Sequence, residues 1–171
     1  VNQRSGVSVR LSVSNYEALA ANALRRGLRS GEHVIVARVD DLDALAASSI
    51  GKIEIEALED GREGAIFDSL VKGAVLTVFK DRVDPSHTTP IVDACEEGLV
   101  VHTGEDMTSD QLAALVEQVP ALREPVGALT EGDPSPASIA AAVEFVLEGL
   151  HLSKRLNKDD SGSSVTYRGR L

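Results

Sequence analysis

Apolar positions recur along most of this chain at helical spacing, and stretches of strict alternation are few and short. Tyr16, Leu19, Ala20, Ala23, Leu24 and Leu28 predict one face of a first helix. Ser14 and Glu17 have the spacing of a capping box at its start, and Gly27 or Gly31 ends it. Arg25, Arg26 and Arg29 then complement its C-terminal dipole. His33–Val39 is a short β-like connector, and Asp40 or Asp41 caps a second helix bearing Leu42, Leu45 and Ala46, which stops near Gly51.

Alternation returns at Ile53 and Ile55, in a short strand or an extended linker. Asp60 and Glu63 then open a long helix whose wide stripe (Ile66, Phe67, Leu70, Val71, Ala74, Val75, Val78, Phe79) reaches about Arg82. Residues 81–90 are a loop. Thr89-Pro90 reads as an N-cap and first helical proline, opening a helix to about Glu97 that Gly98 ends. Thr108 and Gln111 frame another capping box ahead of Leu112, Leu115, Val116 and Val119, and Pro120 breaks that helix. After a loop at 127–136 a last helix runs from about Pro136 to Lys158. Residues 159–164 are a flexible link, and Val165–Leu171 is a disordered tail or a strand that pairs back.

The fold class expected is therefore mostly α, with minor strands at 34–36, 53–56 and 165–168. The division expected is a small bundle over 1–60, a helical extension over 61–158 and a tail over 159–171.

Composition narrows this picture. Apolar residues make up 43% of 171, enough for a core, but aromatics only 3%, so that core must be aliphatic. Cys95 stands alone, which rules out an internal disulfide and suits a reducing cytoplasm. No apolar run approaches membrane-spanning length, so no membrane partner is expected. Charge is uneven. Residues 1–38 carry six arginines against Glu17 and Glu32, a balance of +4, while the whole chain is −10. The acidic middle disfavours nucleic acid, including a helix-turn-helix built on 14–50, but a basic start can hold a small anion.

Familiar catalytic patterns are missing. His33, His87, His102 and His151 are scattered, no pair has zinc-ligand spacing, and no metal site is expected. There is no Gly-x-Ser-x-Gly elbow and no Gly-x-x-x-x-Gly-Lys-Ser/Thr loop, so no catalytic residue is assigned. Arg10 stands four residues before Ser14, at the entrance to the first helix. On its own it reads as a solvated loop arginine or as the partner of an acidic neighbour.

Taken together, "GVSVRLSVSNYEALAANALRRGLRSGE" and "VARVDDLDAL" resemble the lid region of AAA+ ATPases, in particular the magnesium chelatase subunit I and MoxR-like group. "GKIEIEALEDGREGAIFDSLVKGAVLTVF" is similar to the continuation in that group. The likeness covers roughly residues 4–82 and fades beyond about 100. It implies that Arg10 is the sensor 2 arginine, which reaches the γ-phosphate of ATP, and that Ser14–Leu28 is the lid helix. It also implies ATP and Mg²⁺ in a parent protein, an AAA+ core of the same chain as partner, ring homo-oligomers, and a partner protein with a metal-ion-dependent adhesion domain. The P-loop, Walker B acids, sensor 1 and arginine finger are absent. The resemblance therefore implies a C-terminal fragment that cannot hydrolyse ATP alone. The alternative is a helical adaptor with no nucleotide role.

Overall fold

The computed structural model describes residues 9–49, 63–162 and 164–170. Among them the fold is mostly α: seven helices and one small three-stranded sheet. The helices are α1 (Val9–Ser30), α2 (Ala44–Ser49), α3 (Glu63–Arg82), α4 (Pro85–Glu96), α5 (Ser109–Gln118), α6 (Arg123–Leu129) and α7 (Pro136–Leu152). The strands are β1 (Val100–Thr103), β2 (Asn157–Asp160) and β3 (Val165–Arg168), ordered β1-β3-β2 with both pairings antiparallel.

α1 begins at Val9, so Ser14 and Glu17 lie inside it and form no cap. Leu11 explains the longer helix: it is buried, and burial of an aliphatic side chain rewards winding the chain one turn earlier. At the other end Gly31 takes φ 70° and Glu32 N–H bonds to the Gly27 carbonyl at 2.8 Å, a left-handed helix stop. Gly27 is therefore interior.

The connector after α1 is extended, but 34–36 is not a strand, because among the described residues no strand pairs with it. The Val36 carbonyl instead accepts a hydrogen bond from Arg26 Nη2 at 2.8 Å. A 3₁₀ turn (Val39–Asp43) then precedes α2, with the Asp41 carboxylate accepting from Arg38 N–H at 2.9 Å. The strand or linker expected at 53–56, and Asp60, lie outside the described residues.

α3 is a helix over the expected stretch, but its stripe is divided: Phe67, Val75 and Phe79 are buried, while Leu70, Ala74 and Val78 are exposed. α4 starts at Pro85, not Pro90: Asp84 is the N-cap, accepting from Ser86 N–H at 2.8 Å, and Pro90 sits inside the helix. Asp84-Pro85 carries the same cap-then-proline signature as Thr89-Pro90, only earlier, so residues 81–90 are mostly helical. The capping box of Thr108 and Gln111 is formed. Pro120 ends α5 in a 3₁₀ turn (Pro120–Leu122), from which α6 continues, so the expected loop at 127–136 shrinks to 130–135.

α7 stops at Leu152 instead of near Lys158. Lys154 takes φ 61°, a left-handed conformation that ends the helix, and the chain turns into β2. β3 coincides with the strand expected at 165–168. Its middle residue, Tyr167, pairs with Val101 on one side and Lys158 on the other.

α7 is the central helix. Val143, Val146, Leu147 and Leu150 are fully buried with Ile91 of α4, Leu112 of α5 and Leu122. The core is aliphatic, as composition requires, with one edge-to-face pair, Phe79 and Phe145, at 6.0 Å between ring centres.

Candidate functional site

Arg10 lies in the first turn of α1 and is exposed. It is therefore part of the helix, not of a loop ahead of it. Successive residues turn by about 100° around a helix, which places Arg10 in line with Leu28 and beside Val13, Ala20 and Leu24. These residues face outward. Tyr16 is 74% exposed, Leu28 71%, and Val13 and Leu24 52% each.

The face expected to be buried as one is thus divided. Leu19 and Ala23 turn inward, while Tyr16, Ala20, Leu24 and Leu28 form an uncovered row. From Arg10 to Leu28 the row extends about 27 Å at 1.5 Å per residue. A shallow depression of about 340 Å³ lies between Tyr16, Leu19, Leu24, Ile35 and Ala37, and a second of about 410 Å³ lies beside Leu24, Leu28, Arg25 and Arg29. A third, of about 430 Å³, continues past Leu19 and Ala37 to Leu129 and Phe145, with Glu131 and Asp133 on its lining.

What turns α1 this way is Arg26. Its guanidinium is buried and grips the Asp41 carboxylate, Nη2 to Oδ2 at 2.9 Å and Nε to both oxygens at 3.3 Å. Asn22 Nδ2 donates to the same carboxylate at 3.1 Å. Arg38 extends the cluster inward, donating to the Met107 carbonyl and Ser109 Oγ at 2.9 Å each. Glu32 lies 3.4 Å from Arg38 and 3.6 Å from Arg26. Burial lowers the Arg38 pKa, against the attraction of Glu144, Glu32 and Asp41.

In the sequence Arg25, Arg26 and Arg29 read alike, as complements of the helix dipole. Arg25 and Arg29 are indeed at the surface, bonded to Asn22 and Glu105. Arg26 is the joint. The readable signal was its position: three residues after Ala23 and seven after Leu19, it falls on the inward side, where an arginine requires a carboxylate partner.

A second polar cluster lies below, in a cleft of about 250 Å³ lined by Asp40, Asp43, Asp68, Glu105, Glu148 and Asp160. Its cations are committed: Lys72 to Asp68 at 2.8 Å and Lys158 to Glu148 at 3.0 Å. Tyr167 donates its hydroxyl to the same Glu148 oxygen at 2.9 Å, and burial raises the Tyr167 pKa well above the usual phenol range. Burial also raises Asp40 and Asp43, against the pull of Lys158. Burial pulls Lys158 down, but Glu148 more than offsets it and its pKa ends raised.

The four histidines stay apart: His33 is exposed, His87 meets Glu124, His102 meets Thr166, and His151 meets the Leu156 carbonyl. Among the described residues no group of three or more His, Cys, Asp or Glu is placed to hold a metal ion. Cys95 is buried, and burial raises its thiol pKa, which suits a packing residue. Among the described residues no helix is long and apolar enough to cross a membrane.

No protein-family model, curated protein or solved structure matches this chain.

Proposed function

We propose that this chain is the lid and helical C-terminal region of a magnesium chelatase-like AAA+ ATPase, coupling nucleotide state in a core of the same protein to its clients. The observation that supports this reading is the uncovered apolar row on α1 with Arg10 at its N-terminal end. An apolar helix face of this length calls for a covering surface. If that surface is the core, the row seats the lid, and Arg10 enters with it toward the nucleotide. ATP with Mg²⁺ supplies the phosphoryl group and its charge neutralisation when bound. Arg10 contributes a forked guanidinium for γ-phosphate oxygens. The Arg26–Asp41 joint then carries any tilt of α1 into the 3₁₀ turn and the body beyond it. In this reading the parent assembles as a ring and works with a partner that carries a metal-ion-dependent adhesion domain.

A helical adaptor uses the same apolar row on a partner protein and gives Arg10 no chemistry. Steady-state ATPase assays on the parent protein separate the two. Arg10→Ala lowers turnover by about a hundredfold or more if the guanidinium stabilises transition-state charge. Wild-type turnover in that variant removes the sensor assignment, and a parent with no Walker A loop ahead of Val1 removes the ATPase reading altogether.

A further inference from the structure

The joint behind α1 holds a carboxylate that the proposed function does not use. Glu144 sits in the middle of α7, 3% exposed, and faces the Arg26–Arg38 cluster. Among the described residues neither of its oxygens has a hydrogen-bond partner. The closest cation, Arg38 Nη1, is 3.7 Å from Oε1, beyond hydrogen-bonding distance, and already donates to the Met107 carbonyl at 2.9 Å. The other Arg38 terminal nitrogen is spent on Ser109 and Glu32.

Counting charge makes the position of Glu144 sharper. Arg26 and Arg38 are balanced within the cluster by Asp41 and Glu32. An ionised Glu144 adds one uncompensated negative charge in a buried site, with Asp40 of the 3₁₀ turn close enough to repel it. On its remaining sides the nearby ionisable groups are Tyr167 of β3 and, one turn along α7, Glu148, which is paired with Lys158 of β2. None of these is a spare cation. A neutral acid at Glu144 leaves the cluster balanced.

We infer that the contact between α7 and the Arg26–Arg38 cluster behind α1 is a proton-operated latch, closed while Glu144 is a neutral acid and loosened when it becomes a carboxylate. The inference goes beyond the proposed function and does not depend on it. Burial, and then repulsion from Asp40, push the Glu144 pKa up to about 8, against the attraction of Arg38 and Arg26. The folded state thus holds a proton that the unfolded chain gives up near 4.5. Stability from this group is complete below about 4.5, falls as pH rises toward 8, and is constant above.

Denaturant unfolding of the chain and of Glu144→Gln from pH 5 to pH 9 tests the latch. Glutamine has the shape of the neutral acid and cannot ionise. The two proteins should be similarly stable at pH 5. By pH 8.5 the wild-type folding constant should have dropped at least about tenfold relative to the variant. Amide exchange at Asn22–Asp41, corrected for its intrinsic pH dependence, should accelerate across the same range in the wild type only. Parallel pH profiles, or a glutamine variant weaker at every pH, would make Glu144 an ionised partner of Arg38 and overturn the latch. If the variant does not fold, carboxyl-carbon NMR of the wild type decides. One glutamate titrating far above the others supports the latch, and all of them titrating in the ordinary range overturns it.

Discussion

Arg26 and Asp41 meet across fifteen residues of chain with both side chains buried, their closest atoms 2.9 Å apart. This pair fixes the rotation of α1 and therefore which of its apolar residues face out. Replacing Asp41 with alanine leaves the Arg26 guanidinium in a dry site with no full counter-charge. The expected loss is about 3–5 kcal/mol, read as a lower urea midpoint with unchanged slope. A paired Arg26→Met, Asp41→Leu protein should recover most of it, because removing both charges together removes the desolvation cost.

Gly149 of α7 lies under the Phe79 ring of α3, where a Cβ would come within 2.0 Å of Cδ2. Alanine is a better helix former, so on propensity alone Gly149→Ala should stabilise α7. Packing reverses the sign. The ring must shift, breaking its edge contact with Phe145, and the variant should lose about 1–3 kcal/mol. Thermal melts of Gly149→Ala and of Gly149→Ala with Phe79→Leu check the cause, since the smaller leucine should restore part of the loss.

Long periodic elements were legible in the sequence and short ones were not. α3 carries a wide stripe, and α7 starts on the Ser135 cap with Pro136 in its first turn, so their residues alone place them. β1 and β2 have four residues each and acquire meaning only from β3, a long-range pairing that no local pattern reveals. β2 was further hidden because Leu156 continues the α7 period, while the break depends on one left-handed residue, Lys154. Arg10 stands out only through a resemblance, and its proposed role rests on that. Arg26 reads in the sequence only as a dipole complement, and Glu144 carries no local signal, because a charge on a helix usually faces water.

Asp133 sits just ahead of α7 and accepts hydrogen bonds from Ser138 Oγ and Ser135 N–H. These bonds, that of Ser138 foremost, hold its pKa below the usual carboxylate value. A lowered carboxylate contributes stability that is complete above its unfolded value and lost as pH falls through its folded one. Asp133→Asn should therefore flatten the acid side of the stability profile, below about pH 4, and leave the alkaline side unchanged. Unfolding curves taken at closely spaced acid pH values measure this. An acid limb identical to the wild type would show that the two serine contacts do not persist in solution.

Leu24 and Leu28 decide whether the uncovered row on α1 belongs to the fold or to a contact. Both are aliphatic residues of one helical stripe, where sequence alone predicts core positions and a cost of several kcal/mol for a charge. In the structure they are 52% and 71% exposed, so glutamate at either position removes little packing. The double variant Leu24→Glu, Leu28→Glu should stay within about 0.5 kcal/mol of the wild type in denaturant unfolding. Ala23→Glu, four percent exposed on the adjoining inward face, should by contrast prevent folding or cost more than about 3 kcal/mol. In the parent protein the order of effects should invert for coupling. Under the proposed function, the stable double glutamate variant should disturb the seating of α1 on the core, seen as lower ATP turnover with intact folding. If it instead unfolds the isolated chain, the row is core, and α1 has no free face to offer a partner.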